Sequence, residues 1–493
     1  MANSAISPGT PLKHIAICGG GLAGYMTAAA LLRHLPAAIE ITLITPRDYP
    51  ASDIFYGSVT SPSAYDFNLS IGVSEPRLVL ESTTAFSLGT HFQAWGGDKL
   101  SWFQGFQLPL PILSGVPFHQ YLVRQDMQAL DPFLISAAMA RRGVFAHPPE
   151  NASHPLARAE YGYQLDVASY RQLFAGLTDR SRIRTLSADL AEVESTPESI
   201  VTLYLSDGQS VSADLFIDCT GPEATLLSTL GARRIGNHWL NAVLTSKASE
   251  HLGPAVRTLS GRHFGWQSAT PLQGSLAKLT VFTEEGEASA LAEHGEEPDV
   301  RTGARFGRQP CAWVGNCVAI GQAAAMIEPL TPAPIMLLQK DIDRLVSLIP
   351  LSGDMSMESR EFNRQFVDDC EHAELFRRAL FATAPLPRSS YWQADGALGS
   401  SPKLDRKFEQ FLSRGVLVAY DLEPFTPEDW VVLHYGMGRR PRRYDRLADQ
   451  APAPELKQYL DTLRRDIEAA TYNLPSHDSY MTRLRQYLMR QGA

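Results

Sequence analysis

The chain has 493 residues, of which 44% are hydrophobic, and a formal net charge of −9. This length allows two or three structural units with a large buried core. The acidic balance excludes the electrostatic footprint of a nucleic-acid-binding protein, and no run of about 18 apolar residues is available to span a membrane. The N-terminus lacks the basic start and apolar middle of a signal peptide, so we expect a cytoplasmic location.

The five cysteines are widely spaced, and none forms a C-x-x-C pair. An odd number of cysteines without secretion features argues against a disulfide framework, and the lack of a histidine-rich run argues against a zinc site. Four of the five lie in apolar, strand-like or helix-like stretches. We therefore expect buried structural thiols and no bound metal.

The first 45 residues follow the order strand, glycine turn, helix, strand. Residues 15–18 form a short apolar run that is typical of a buried parallel strand, and a helix-forming stretch extends to Leu35 before Pro36. The turn between them reads G-x-G-x-x-G, which permits close approach of the backbone to a pyrophosphate at the helix N-terminus. The predicted cofactor contacts are Gly19, Gly21, Leu22, Ala23 and Gly24.

Two later segments favour FAD over a nicotinamide cofactor. Residues 213–227 and 313–330 each contain an apolar strand that runs into a turn of small residues, with Asp218, Gly221 and Gly321 at these turns. In FAD-binding folds whose cofactor domain is built from separate segments of the chain, such later segments return to the first sheet and complete the cofactor site. The second strand ends in Thr45 instead of an acidic residue, so we expect a weaker hydrogen bond to the cofactor ribose.

Six distinct motifs, each present once, follow one another along the chain. They are GGGLAGYM (19–26), YGSVTSP (56–62), TTAFSLGTHFQAW (83–95), DLFIDCTG (214–221), FGWQSATP (264–271) and NCVAIGQAAAMIEPLTPAPI (316–335). All six resemble motifs of the flavin-dependent tryptophan halogenase family, which belongs to the broader class of FAD monooxygenases. The likeness extends from about residue 13 to about residue 485.

The resemblance implies an α/β fold of the two-dinucleotide-binding type. The expected FAD-binding, Rossmann-like core spans residues 13–350, and substrate-binding segments with a mixed sheet interrupt it at about 60–165 and 223–300. Residues 351–493 are expected to form a C-terminal helical cap.

The resemblance also implies a chemistry, with several residues changed. Members of that family use O2 and FAD reduced by a separate flavin reductase, and they pass an oxidised halide to a lysine beside the substrate. That lysine is Ser87 here, and the backbone pair that holds halide is Ala333 and Pro334. Serine cannot form a haloamine, proline has no N–H, and Pro334 biases Ala333 toward extended geometry. Halide handling is therefore expected to be lost.

The remaining candidates surround the expected substrate. Glu328 matches the family's active-site glutamate, and burial would raise its pKa enough for general base chemistry. Ser87 and His91 are predicted to share one strand face, and Lys99 is the nearest downstream lysine. The residues expected to line the substrate pocket are Phe86, His91, Trp266 and Ser268, the last at a position where the family has tryptophan.

The sequence therefore predicts an FAD-dependent monooxygenase or oxidase that acts on an aromatic or carrier-protein-bound molecule. A separate flavin reductase is the expected partner because no second G-x-G-x-x-G is present, and a homodimer is left open. The arginine-rich run 438–446 is either a solvated face or a dock for an anionic substrate or carrier. Two alternatives stay open: a true halogenase with a rewired site, and a non-catalytic flavin-binding homologue.

Overall fold

The computed structural model describes residues 11–96, 100–109, 115–152, 154–178, 182–382, 389–396, 401–420 and 423–492. The strands are β1 (His14–Cys18), β2 (Glu40–Thr45), β3 (Ala85–Ser87), β4 (Thr90–Gln93), β5 (Trp102–Gln104), β6 (Gly162–Gln164), β7 (Arg184–Ser187), β8 (Leu190–Ser195), β9 (Ile200–Leu205), β10 (Ser210–Val211), β11 (Leu215–Asp218), β12 (Ile235–Ala248), β13 (Arg257–Arg262), β14 (Gly265–Leu272), β15 (Ser275–Phe282), β16 (Val300–Arg308), β17 (Trp313–Val314), β18 (Cys317–Ala319) and β19 (Ala325–Met326).

Helices separate and cover these strands. They are α1 (Leu22–His34), α2 (Ala64–Ser70), α3 (Glu75–Glu81), α4 (Phe118–Arg124), α5 (Ile135–Arg142), α6 (Val167–Thr178), α7 (Thr225–Thr229), α8 (Glu287–His294), α9 (Ala333–Ser347), α10 (Ser356–Phe381), α11 (Ser390–Gly396), α12 (Pro402–Arg414), α13 (Pro427–Gly436), α14 (Ala453–Tyr472) and α15 (His477–Gln491). Within the described residues, no helix has the length and hydropathy needed to cross a membrane.

The central sheet has the strand order β17-β18-β11-β1-β2-β7. β1 pairs in parallel with both β2 and β11, so that Cys18 lies beside Ile44 on one side and Asp218 on the other. β11 pairs in parallel with β18. The carboxyl ends of these four strands therefore meet at one edge, which is where ligands bind in open α/β sheets. This edge carries the glycine turn and the two later turns.

The second large sheet has the order β19-β16-β12-β15-β14-β13-β4-β5. Most of its neighbours are antiparallel, but β13 runs parallel to β4 and places Arg257 beside Thr90. At the other edge, β16 pairs with β19, which leads into Glu328 and the loop before α9. This sheet thus joins the Ser87 region to the 328–332 loop.

Burial follows the apolar patterns of the sequence. Cys18, Cys219, Cys317 and Cys370 are free and buried, which confirms four structural thiols, whereas Cys311 is exposed. The inner strands β1, β11 and β18 of the central sheet are buried on both faces, because helices cover a parallel sheet from both sides, whereas the edge strand β7 is largely exposed.

Candidate active site

The glycine turn joins the end of β1 to the first turn of α1. A Cβ atom on Gly24 would lie 1.8 Å from the carbonyl oxygen of Gly19, and a Cβ atom on Gly19 would lie 2.0 Å from the carbonyl oxygen of Cys219. No side chain fits at either place, so the close packing of the turn requires glycine. The predicted turn is present with the predicted residues.

A short stretch that we call the cover segment, residues 50–56, lies over this edge of the sheet. It contains a single 3₁₀ stretch, Ala51–Tyr56. A Cβ atom on Gly21 would lie 2.9 Å from Asp53 Oδ1, and one on Gly321 would lie 2.4 Å from the Tyr56 hydroxyl oxygen. Glycines from two separate turns therefore face the cover segment, which fills the space in front of them.

Asp53 brings a carboxylate to the start of α1. The backbone N–H of Leu22 donates to Asp53 Oδ2 at 2.7 Å, and Tyr49 also hydrogen-bonds this carboxylate. Burial raises the pKa of Asp53 to about 6. A helix N-terminus favours an anion, so Asp53 stands where a phosphate oxygen would bind. The turn fits the FAD pyrophosphate, provided that Asp53 moves aside.

Arg171, on α6, supplies a positive charge that the sequence did not indicate. Its Nη1 donates to the carbonyl oxygen of Gly20 at 3.3 Å, and its guanidinium lies 4.8 Å from the ring centre of Tyr49. Its buried Nε atom has no hydrogen-bond partner among the described residues. A cation with a spare donor beside the glycine turn suits a pyrophosphate. Only the packing of α6 on α1 brings it there, and no local motif marks it.

Two other predicted cofactor residues, Thr45 and Asp218, differ in how strongly their side chains are hydrogen-bonded within the protein. The Thr45 hydroxyl makes only long contacts, 3.4 Å to Ser187 Oγ and 3.5 Å to Leu186 O, so it can still hydrogen-bond a ribose. The Asp218 carboxylate accepts from Thr220 and from the N–H of Leu227, and burial raises its pKa. Asp218 therefore braces the turn that carries Gly221.

A cavity of about 320 Å³ lies beside Ser87. Its aromatic lining consists of Phe92, Phe106, Phe376 and Phe425. Its polar lining includes Ser87, Gln104, Glu160, Thr331 and Asp429. Among the lining residues in the described part of the chain there are two carboxylates and no lysine, arginine or histidine. We call this space the reaction cavity.

The two carboxylates of the reaction cavity differ in their hydrogen bonds. Oδ2 of Asp429 accepts hydrogen bonds from the backbone and side chain of Thr426, and burial raises the pKa of Asp429 to about 7. Glu160 accepts from Gln107 Nε2 at 2.9 Å, and burial raises its pKa as well. Neither carboxylate has a described cationic side chain within salt-bridge distance, so each is available to a positively charged ligand.

The expected Ser87 and His91 pair is wrong. Gly89, with a φ of +140°, separates β3 from β4, and the two strands belong to different sheets. Ser87 is fully buried in the cavity wall, where its hydroxyl donates to Gly89 O at 3.5 Å. His91 hydrogen-bonds Ser101 and Gln93 and does not line the cavity. The glycine between them breaks the two-residue alternation on which the prediction relied.

Three further pocket predictions also differ from the structure. Phe86 points away from Ser87 and stacks on Phe145 with a ring separation of 4.4 Å. Trp266 and Ser268 are buried in β14 behind the wall, and the Ser268 hydroxyl has no hydrogen-bond partner in the described part of the chain. None of the three lines the reaction cavity. Strand alternation sends these side chains into the core.

Glu328 is 3% exposed and lies at the centre of a network of three donors. It accepts from Trp266 Nε1 at 2.7 Å, from the Tyr391 hydroxyl at 2.6 Å and from Arg377 Nη1 at 3.0 Å. These three donors hold the carboxylate in one orientation. Glu328 lines a second cavity, of about 430 Å³, and its role as a general base stays a prediction.

The loop before α9 is not extended at Ala333, as the sequence argument expected. Ala333 is the first residue of α9 and Pro334 the second, with Pro332 at the cap. Proline suits the first helical turn because its φ is already helical and no N–H is needed there. Thr331 and Pro332 line the reaction cavity, so the N-terminus of α9 points toward it.

The arginine-rich run and the buried histidine His119 make their contacts elsewhere in the fold. Lys99 lies outside the described residues. His119 is buried and hydrogen-bonds Gly415 O at 2.8 Å, which is a core role. In the arginine-rich run, Arg439 and Arg440 donate to backbone carbonyls, whereas Arg442, Arg443 and Arg446 are exposed and form a solvated face.

Comparisons with known proteins agree with this architecture. The chain matches the family model described as tryptophan halogenase over residues 14–453. It is 24% identical over 444 residues to the tryptophan 7-halogenase KtzQ of Kutzneria sp. (strain 744), covering 81% of each chain. It is 24% identical over 441 residues to the tryptophan 7-halogenase RebH of Lentzea aerocolonigenes, covering 81% of this chain and 82% of RebH.

A solved structure is similar over almost the whole chain. BrvH, a flavin-dependent halogenase from Brevundimonas sp. BAL3, superimposes with a TM-score of 0.87 and 26% sequence identity, covering 96% of this chain and 99% of BrvH. This similarity confirms the predicted α/β class with its Rossmann-like core.

Asp53→Asn is expected to strengthen FAD binding by about tenfold, because a neutral acceptor holds the Leu22 N–H less strongly than a carboxylate. In the wild type, affinity should rise as the pH falls through about 6, where Asp53 takes up a proton and loses its charge. The variant should lack this pH dependence. Fluorescence titration of FAD measures both, with the exposed Asp48→Asn as control. Equal affinities in all three proteins would refute competition by Asp53.

Glu328→Gln is expected to lower the free energy of unfolding by about 2–3 kcal/mol, because the buried carboxylate that accepts from Trp266, Tyr391 and Arg377 loses its charge. Glu374→Gln is the matched control, since Glu374 binds the same guanidinium but its side chain is 38% exposed. The control should cost less than about 1 kcal/mol. Urea denaturation followed by tryptophan fluorescence compares them, and similar losses would contradict a special role for the Glu328 pair.

Proposed function

Because the chain belongs to the tryptophan halogenase family, we propose that it is a two-component, FAD-dependent halogenase of a small aromatic amine. The observation that carries the proposal is the wall of the reaction cavity, where four phenylalanines surround a space that also holds two carboxylates. An aromatic ring suits the first group of side chains, and an ammonium or N–H group suits the second. This combination selects for aromatic substrates that carry a positive charge and against substrates that carry a negative one.

The cofactor would be held at the edge of the central sheet. The Gly19–Gly24 turn and Arg171 would bind the pyrophosphate, and Thr45 would hydrogen-bond the ribose. Reduced FAD, when bound, would supply the electrons that reduce O2, and the family relationship supports delivery of this reduced form by a separate flavin reductase. The cover segment must move for this binding, because Asp53 and a phosphate oxygen compete for the N–H of Leu22.

The cavity residues have three separate tasks in this proposal. The phenylalanines exclude water from the ring to be modified. Asp429 and Glu160 orient the substrate through its positively charged group, and they disfavour a carboxylate or a phosphopantetheine arm by repulsion. Ser87 donates a hydrogen bond to the oxidised halide, which a hydroxyl can do without carrying a charge.

Oxygenation without halogen transfer is the second candidate. Ser87 favours it, because its hydroxyl cannot form a haloamine and is a weaker donor than an ammonium group. In this case the same aromatic amine would receive an oxygen atom from O2 and the other oxygen atom would leave as water. Family membership favours halogenation over this alternative.

The choice between the two reactions is tested with bromide. With a flavin reductase, O2, bromide and an aromatic amine such as tryptamine, we expect a product that shows the bromine isotope doublet in mass spectrometry. Ser87→Ala should lower its yield by about tenfold, because one hydrogen bond to the oxidised halide is lost. A control without reductase should give no product. A product that gains oxygen and no bromine would replace halogenation with oxygenation.

Asp429→Asn is expected to weaken tryptamine binding by about tenfold and to leave the binding of uncharged indole unchanged, because only the charge is removed. In the wild type, tryptamine affinity should rise as the pH increases through about 7, where Asp429 becomes charged. Calorimetric titration measures both ligands. Equal losses of affinity for tryptamine and for indole would show that the substitution acts by disturbing the N-terminal cap of α13 and not by removing a charge.

A further inference from the structure

Arg257 is a fully buried cation at the start of β13. Its Nε donates to Thr90 Oγ1 at 3.3 Å, its Nη1 to Pro329 O at 2.8 Å and its Nη2 to Leu330 O at 2.5 Å. It therefore ties the start of β4 to the loop that follows Glu328. All of its described acceptors are neutral oxygens.

No described carboxylate forms an ion pair with Arg257. Burial alone lowers its pKa to about 9, with no acidic neighbour acting on it, and it is still charged at neutral pH. Glu328, the residue before Pro329, pairs with Arg377 instead. Lys407, another buried cation, has the counter-charge Glu423. An uncompensated buried charge is costly and is seldom kept without a use.

The Arg257 guanidinium lies directly behind the wall of the reaction cavity. Thr90 and Leu330, which it hydrogen-bonds, both line that cavity. The N-terminus of α9 points to the same region and adds the positive end of a helix dipole. The Ser87 hydroxyl is a donor on the adjacent part of the wall. In a low-dielectric environment these contributions are weakly screened.

We propose that Arg257 is the cation of the reaction cavity: it positions the Pro329–Leu330 wall, and its charge retains a small monovalent anion beside Ser87 and Thr331. The proposal rests on the proposed function in taking this space as the place of reaction. Ser87 brings a donor without a charge, and Arg257 supplies the charge from behind. The anion class is a halide or another monoanion of similar size.

The alternative is that Arg257 only braces two carbonyl groups. A neutral amide is able to donate to a carbonyl, so bracing does not require a charge. Glutamine and lysine separate the two roles at position 257. Glutamine keeps a donor and removes the charge, whereas lysine keeps the charge and loses the two-pronged donation.

The experiment measures bromide binding by calorimetry and by anomalous scattering from bromide-soaked crystals, with no reductase or substrate. Wild type and Arg257→Lys should bind bromide in the reaction cavity, and Arg257→Gln should bind it at least tenfold more weakly. Arg234→Gln is the matched control, because Arg234 also donates to several backbone carbonyls, at Pro222, Gly307 and Gln322, and does not line this cavity. It should bind bromide like the wild type.

Two outcomes would overturn the proposal. One is equal bromide affinity in the wild type and Arg257→Gln, or equal losses in the glutamine and lysine variants, which would leave only bracing. The other is a wild-type crystal with no bromide peak in the reaction cavity, a result that is decisive even if Arg257→Gln does not fold. Bromide bound as expected, together with only oxygenated product in turnover, would reject halogenation and leave the Arg257 site standing.

Discussion

Parallel pairing of β1 with both β2 and β11 is the constraint on which the site depends. Because the three strands run in the same direction, their carboxyl ends meet, and turns that are about 200 residues apart in sequence face one space. The second sheet has β4, which follows Ser87 in the chain, near one edge and β19, which leads into the 328–332 loop, at the other. The cofactor cleft thus depends on the central sheet, whereas the reaction cavity lies between β3, β4 and the loop before α9.

Charge is distributed unevenly around the reaction cavity. Glu328 and Arg377 neutralise each other, so this pair contributes rigidity and little net field. Arg257 and the two lining carboxylates are not neutralised by described partners, and they act on ligands of opposite sign. A substrate cation and a small anion are therefore accommodated together, each by a different part of the wall. Separation of charges in one cavity is a means of choosing both reactants.

The sequence predicted what local patterns encode. The glycine turn, the buried thiols and the α/β class follow from spacing and apolar runs, and all three are present. Asp53, Arg171 and Arg257 were missed because each acts through a partner far away in the chain, and no short motif marks it. The shared face of Ser87 and His91 failed because Gly89 ends the strand between them, and extended geometry at Ala333 failed because helix propagation overrode a dipeptide preference.

If the protein takes part in a two-component reaction as proposed, the cover segment also has a consequence for the kinetics of cofactor exchange. A two-component enzyme must accept reduced FAD and release the oxidised form in every cycle, so very slow dissociation would limit turnover. An internal carboxylate that returns to the N–H of Leu22 spares the departing cofactor from leaving that donor without a partner. Under the proposed function, Asp53 would therefore lower the equilibrium affinity for FAD and speed its release, which suits a cofactor that passes between two proteins in each cycle.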